Sequence, residues 1–137
     1  MFFNSEKNNN KEDNLTKIAA LLIHAAKIDQ NFSPSEEDII KQTMIKIGSK
    51  EENVEQLMLN AKRIEEDSNQ ILDFTKKVKN MDKADKVQII EALWKIIYSN
   101  NEADIYETNL MRRLGGLLYI DDRIIGDIKN KIKKENL

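Results

Sequence analysis

Residues 82–100, DKADKVQIIEALWKIIYSN, have apolar side chains on more than one face of a predicted helix. The apolar positions are Val87, Ile89, Ile90, Leu93, Trp94, Ile96 and Ile97. Their spacing is typical of an α-helix, and a stripe this wide is typical of a helix with neighbours on several sides. Residues 15–29 have the same pattern. We therefore expect these two helices to be the most buried and to pack together at the centre of the fold.

Shorter helical patterns lie on either side of these two segments. They cover residues 34–47, 49–64, 70–79, 105–117 and 121–132. Gly48 is expected to end the first of them, and Ser49, with Glu52 three residues later, to cap the next. The chain has only four glycines and one proline, too few for the tight turns of a β-sheet protein. The sequence predicts an all-α fold, a single compact bundle of about seven helices.

The composition narrows the classes of function. A chain of 137 residues corresponds to one domain. Because it has no cysteine, it can form neither disulfides nor thiolate metal sites and cannot use a cysteine nucleophile. This composition fits a cytoplasmic protein. The net charge of −2 gives no indication of a nucleic-acid partner.

The first 14 residues, MFFNSEKNNNKEDN, differ from the rest of the chain. They are polar after two phenylalanines and lack the pattern of a signal peptide. We predict that residues 1–14 form a disordered tail before a helical domain at 15–137. Since no stretch is apolar enough to span a bilayer, a peripheral contact through the two phenylalanines is the most that the sequence allows at a membrane.

The sequence also predicts an internal two-fold repeat, at an offset of 71 residues. The aligned pairs include Ile18 with Ile89, Leu22 with Leu93, Ala26 with Ile97, Asp29 with Asn100, Ser33 with Asp104, and Glu36 with Glu107. Two copies indicate a duplication inside one domain, because a solenoid needs at least three.

The repeat includes a polar stretch after each of the wide-striped helices, DQNFSPSEED at 29–38 and NNEADIYE at 100–107. Within the first, Ser33, Pro34 and Glu36 have the spacing of a capping box with proline at the first helical position. The second has Asp104 as the cap. Capping satisfies free N–H groups at a helix start. It does not explain Asp29 and Asn100, the polar residues with which the two stretches begin.

The alternative interpretation of these stretches is a metal site. Oxygen ligands near a helix start suit a hard cation such as Ca²⁺ or Mg²⁺. The first stretch offers the carboxylates of Asp29, Glu36, Glu37 and Asp38. It is not an EF-hand loop, because the Asp-x-Asp-x-Asp-Gly series and the closing glutamate are absent.

The two stretches resemble the repeated motif of the TerB-like (tellurite resistance protein B) family. In that motif a helix ends in Ala-Asp-Gly, and the next begins with Asp-Pro-x-Glu. Here the copies read KIDQNFSPSEE at 27–37 and SNNEADIYE at 99–107, the latter followed by LMRRL at 110–114. The resemblance covers residues 15–133, and it implies a helical fold, a role in tellurite or general stress resistance, and a bound divalent cation. By position it implies the ligands Asp29, Glu36, Asn100, Asp104 and Glu107.

This sequence departs from the family motif at one glycine and two carboxylates. Gln30 stands in place of the glycine, Ser33 in place of an aspartate, and Asn100 in place of another. Fewer charged ligands lower the affinity for Ca²⁺. We therefore expect weak binding, with a dissociation constant of ~10⁻⁴–10⁻³ M, and preference for the first stretch.

Two hypotheses of function follow. The first is a non-enzymatic accessory or scaffold domain with a protein partner, since no motif for covalent, hydrolytic or phosphoryl chemistry is present. The alternative is a small helical metal-dependent hydrolase that uses Asp29, Glu36 and Glu107, which would have to converge on one cavity.

Three other features have structural interpretations. The only histidine, His24, is expected to be a partly buried residue without a catalytic partner. Trp94 and Tyr98 are four residues apart and are expected to pack in the core. The acidic run at 65–67 is expected to be a solvated helix end.

Overall fold

The computed structural model describes residues 2–27, 33–67, 72–99 and 105–135. Within these ranges the chain forms seven α-helices and one 3-10 turn, and no β-strand. The helices are α1 (Phe2–Ala26), α2 (Pro34–Lys46), α3 (Val54–Asp67), α4 (Leu72–Lys79), α5 (Lys83–Ser99), α6 (Ile105–Leu117) and α7 (Asp122–Glu135). The prediction of an all-α bundle is confirmed, whereas the internal repeat stays a prediction.

Helices α1 and α5 provide the centre of the core. Leu22 of α1 and Ile90 of α5 have no exposed surface, and every side chain from Ile18 to Ile23 is at most 1% exposed. Helix α1 contacts α2, α3, α4 and α5, while α5 contacts α1, α2 and α7. Because both helices have neighbours on several sides, both need apolar residues on more than one face. The predicted burial of these two helices is confirmed.

Helices α1 and α3 run parallel to each other. At one end Asn53 Nδ2, just before α3, donates to Glu12 Oε1 at 3.4 Å. At the other end Glu65 of α3 meets His24 of α1. Helix α2 runs antiparallel to α3, because Glu37 in its first turn contacts Lys62 near the end of α3. The start of α2 therefore lies at the end of the bundle where α3 finishes.

Helix α1 is longer than the sequence indicates. It begins at Phe2, so its backbone continues through residues 2–14, the segment for which we predict disorder. Residues 2–26 contain neither glycine nor proline. No residue type there breaks the backbone hydrogen bonds of a helix.

The predicted cap at Ser49 is wrong. Its hydroxyl donates to the carbonyl oxygen of Lys50 at 3.3 Å, and a 3-10 turn over Glu51–Asn53 precedes α3. The backbone N–H of Ser49 donates to the carbonyl oxygen of Met44 at 2.8 Å. This bond is the six-to-one contact that ends a helix at a left-handed residue, here Gly48 with φ of 132°. Ser49 thus completes the end of α2 and is too early to cap α3.

Candidate functional site

The start of α2 is a complete capping box. The Ser33 hydroxyl accepts the backbone N–H of Glu36 at 3.2 Å, and Glu36 Oε1 accepts the backbone N–H of Ser33 at 2.9 Å. The Ser33 hydroxyl also donates to the same Oε1 at 2.9 Å. Pro34 occupies the first helical position. The predicted cap is confirmed, and Glu36 is only 1% exposed.

The next carboxylate, that of Glu37, faces α3. Its Oε1 lies 2.8 Å from Lys62 Nζ and 4.0 Å from Lys41 Nζ. Lys41 also lies 3.0 Å from Glu55 Oε1. The hydrogen bond to Glu55 raises the pKa of Lys41, and the charges of Glu55, Glu37 and Asp38 act in the same direction. Glu37 therefore contributes to an ionic contact between α2 and α3.

The side chains of the other predicted ligands are not among those that the structure describes. Asp29, Asn100 and Asp104 lie outside the described residues. Glu107 is in the first turn of α6, and only its backbone is described. Among the side chains that are described, no three histidines or carboxylates come close enough together to hold a metal ion. The metal site therefore stays a prediction.

A charged cluster that the sequence analysis missed joins the ends of α1 and α3. Glu65 Oε2 lies 2.6 Å from Lys27 Nζ, and its Oε1 lies 3.3 Å from His24 Nδ1. Glu65 is only 8% exposed, so the prediction of a solvated helix end is wrong for this residue. One signal was present, because Glu65 follows the buried Leu57 and Ala61 at intervals of four and therefore lies on the same face.

This cluster lies at the end of α1, shortly before the first acidic stretch in the sequence. Lys27 is two residues before Asp29 in the sequence. His24 and Lys27 are each about one-third exposed, so the cluster lies at the rim of the core. Its geometry stabilises the parallel packing of α1 and α3, which agrees with a structural role for His24.

The aromatic pair of α5 lies in the core, as predicted. The rings of Trp94 and Tyr98 have centroids 6.0 Å apart, and Trp94 is 1% exposed. Trp94 Nε1 donates to the carbonyl oxygen of Ile125 at 3.2 Å. Lys129 Nζ lies 5.4 Å from the centre of the Trp94 ring. The indole thus connects α5 to α7 through its hydrogen bond and its packing.

Comparison with known proteins gives one match. The family described as tellurite resistance protein TerB matches residues 15–130, which is most of the chain. No curated protein and no solved structure matches significantly. Within the described ranges, no helix has the length and apolar character needed to cross a membrane.

Proposed function

Because the chain belongs to the TerB family of tellurite resistance proteins, we propose that it is a non-enzymatic accessory domain that binds a protein partner. We further propose that it acts in tellurite or general stress resistance, in the cytoplasm, and that the first acidic stretch binds a divalent cation weakly. The family match supports the resistance role, and the observation that supports weak cation binding is that Glu36 and Glu37 of this stretch already make structural contacts.

Those contacts lower the affinity that this stretch can have for a cation. Glu36 Oε1 already accepts two hydrogen bonds from Ser33, and Glu37 already pairs with Lys62. A Ca²⁺ ion prefers six to eight oxygen ligands, several of them charged. It would have to compete with Lys62 for Glu37, and a competing ammonium group lowers the affinity. The expected dissociation constant is ~10⁻⁴–10⁻³ M.

Titration of the full chain with Ca²⁺ and with Mg²⁺ tests the cation proposal. Backbone amide shifts and the melting temperature are followed for the wild type, for Asp29→Ala and for Lys62→Met. Asp29→Ala should abolish the response, and Lys62→Met should strengthen it by removing the nearest ammonium group from Glu37. Glu52→Ala is the matched control. This exposed carboxylate precedes the start of α3, whereas Lys62 is near the end of that helix.

Two outcomes contradict the proposed weak site. No amide shift near Glu36 at millimolar Ca²⁺ means that the first stretch does not bind a cation. Sub-micromolar binding means that the ligand set is larger than the one proposed. A stabilisation of about 1.4 kcal/mol at tenfold excess over the dissociation constant is the expected size of the effect.

The proposed role in resistance has a separate test. A host strain that lacks the gene is complemented with the wild type or with Asp29→Ala, and its growth on potassium tellurite is measured. Wild type should restore growth, and failure to do so contradicts a role in tellurite resistance. If Asp29→Ala restores growth equally well, partner binding, not the cation, accounts for the activity.

A further inference from the structure

The turn between α6 and α7 contains a residue in an unfavourable conformation. Tyr119 has a φ of 56° and is 70% exposed. Tyr119 is the residue at which helix α6 is closed. The N–H of the next residue, Ile120, donates to the carbonyl oxygen of Gly115 at 2.9 Å. The left-handed position in this kind of helix end is usually glycine, which has no Cβ to clash with the backbone. A tyrosine there is not explained by stability alone.

Tyr119 lies at the edge of a groove between the start of α5 and the turn before α7. The groove, which we call the Tyr119 groove, has a volume of about 500 Å³. Its apolar lining comprises Met81, Val87, Ile120 and Ile124, all of them partly buried against the core. A concave surface of this size, lined by aliphatic side chains, is suited to hold one or two apolar side chains of a binding partner.

Two of the three charged residues that line the groove are lysines. Lys83 and Lys86 are part of its lining, and neither forms an ion pair with a carboxylate in the part of the chain that is described. Lys79 Nζ lies 4.7 Å from the centre of the Tyr119 ring. Asp121 also lines the groove, but its Oδ1 accepts the backbone N–H of Arg123 at 3.1 Å. This carboxylate is therefore directed at the start of α7.

We propose that the Tyr119 groove docks an acidic peptide segment of a partner protein. An apolar side chain of that segment fills the groove against Tyr119, and carboxylates on either side of it pair with Lys83 and Lys86. An inorganic anion would use the lysines but not the aliphatic lining. Charge complementarity together with an apolar floor therefore favours an acidic peptide. This inference rests on the proposed function as a partner-binding domain and adds the surface and the chemistry of the partner.

Panning of a random dodecapeptide library on the full chain tests the docking site. Enriched peptides should contain an aromatic or large aliphatic residue between aspartates or glutamates. A synthetic peptide with the enriched sequence should shift the amides of Val87, Tyr119 and Ile124. The double substitution Lys83→Glu with Lys86→Glu should weaken its binding by about tenfold or more.

Tyr119→Gly separates recognition from folding. Removal of the exposed ring should weaken peptide binding by about thirtyfold, the size typical of an interface tyrosine that contributes strongly. The melting temperature should not fall, because glycine suits the left-handed backbone. Leu59→Ala is the matched control, since Leu59 on α3 is the other large apolar side chain that is well exposed in the described residues, and it should leave binding unchanged.

Several outcomes would overturn the docking site. They are enrichment of basic peptides or of none, amide shifts on another face, and unchanged binding in both groove variants. Binding of phosphatidylglycerol vesicles but not of peptides, or a dimer that Tyr119→Gly disrupts, would assign the groove to a membrane or to a second copy of the chain. If acidic peptides bind elsewhere, the docking site fails but the partner-binding function remains.

Discussion

Helices α2 and α6 end with the same pattern of backbone hydrogen bonds but with different residues at the position of positive φ. Both helices have 13 residues, and each is closed by a six-to-one hydrogen bond of 2.8 or 2.9 Å. The left-handed residue is Gly48 after α2 and Tyr119 after α6. These two positions are separated by the offset of the predicted repeat. One turn thus has the residue that the backbone favours, whereas the other has an exposed aromatic residue that the backbone disfavours.

The two halves of the chain also differ in how their helices are held together. In the first half, lysines pair with glutamates between helices, as in Lys62 with Glu37 and Lys27 with Glu65. In the second half, Lys131 of α7 also pairs with Glu91 of α5, at 3.5 Å, but α7 makes close packing contacts in addition. Trp94 donates to the backbone of Ile125, and Gly115 of α6 allows the same isoleucine a close approach.

The largest effect is expected from Trp94→Ala in the second half. The substitution removes the largest fully buried side chain of the described core and its hydrogen bond to α7. Such a cavity costs about 3–5 kcal/mol. Urea unfolding followed by circular dichroism gives the free energy of unfolding. Trp94→Phe keeps most of the side-chain volume and should lose clearly less free energy of unfolding. An equal loss for the two variants would mean that packing is not what the indole contributes.

The second prediction compares two adjacent glycines in α6. A Cβ at residue 115 would overlap Cδ1 of the buried Ile125, whereas one at residue 116 would meet no atom within 4 Å. Gly115→Ala should lower the free energy of unfolding by about 1.5 kcal/mol, because overpacking outweighs the gain in helix propensity. Gly116→Ala should raise it by about 0.5 kcal/mol. Equal effects in thermal unfolding would show that Ile125 moves away without cost.

The sequence predicts those parts of the fold that depend on local spacing. The apolar stripes identify α1 and α5 as the buried helices, and Ser33 with Glu36 forms the predicted capping box. The same local pattern is misleading at Ser49, where the end of α2 uses the backbone of the residue that should have been a cap. A capping pattern alone does not show whether its first residue still belongs to the preceding helix.

Features that depend on tertiary contacts cannot be predicted from the local spacing of residues. Glu65 is buried because His24 and Lys27, about 40 residues earlier, lie beside it at the end of α1. The left-handed conformation of Tyr119 follows from the hydrogen bonds that end α6, and nothing in a tyrosine side chain indicates it. The predicted ligands Asp29, Asn100 and Asp104 remain predictions, because they lie outside the described residues.

The third prediction concerns the cap that the two halves are expected to share. Ser33→Ala removes a hydroxyl that accepts one hydrogen bond and donates another, and it should destabilise the fold by about 1 kcal/mol. Asp104→Ala should cost a similar amount if the repeat gives α6 an equivalent cap. Thermal unfolding measures both, with the exposed Ser35→Ala as the control. If Ser33→Ala lowers the stability and Asp104→Ala does not, the cap is present only in the first half.

The smallest effect is expected at Tyr119, and its sign distinguishes this position from Gly48. Tyr119→Gly relieves about 1 kcal/mol of backbone strain but loses about 0.5 kcal/mol from the contact with Lys79. The net result should be stabilisation by about 0.5 kcal/mol. Gly48 has a φ of 132°, beyond the left-handed α region in which Tyr119 lies, so Gly48→Ala introduces more strain and should cost about 1–3 kcal/mol. Urea unfolding of both variants measures the difference. If Tyr119→Gly is instead destabilising, Tyr119 stabilises the turn, and its unfavourable backbone conformation no longer indicates a role in recognition.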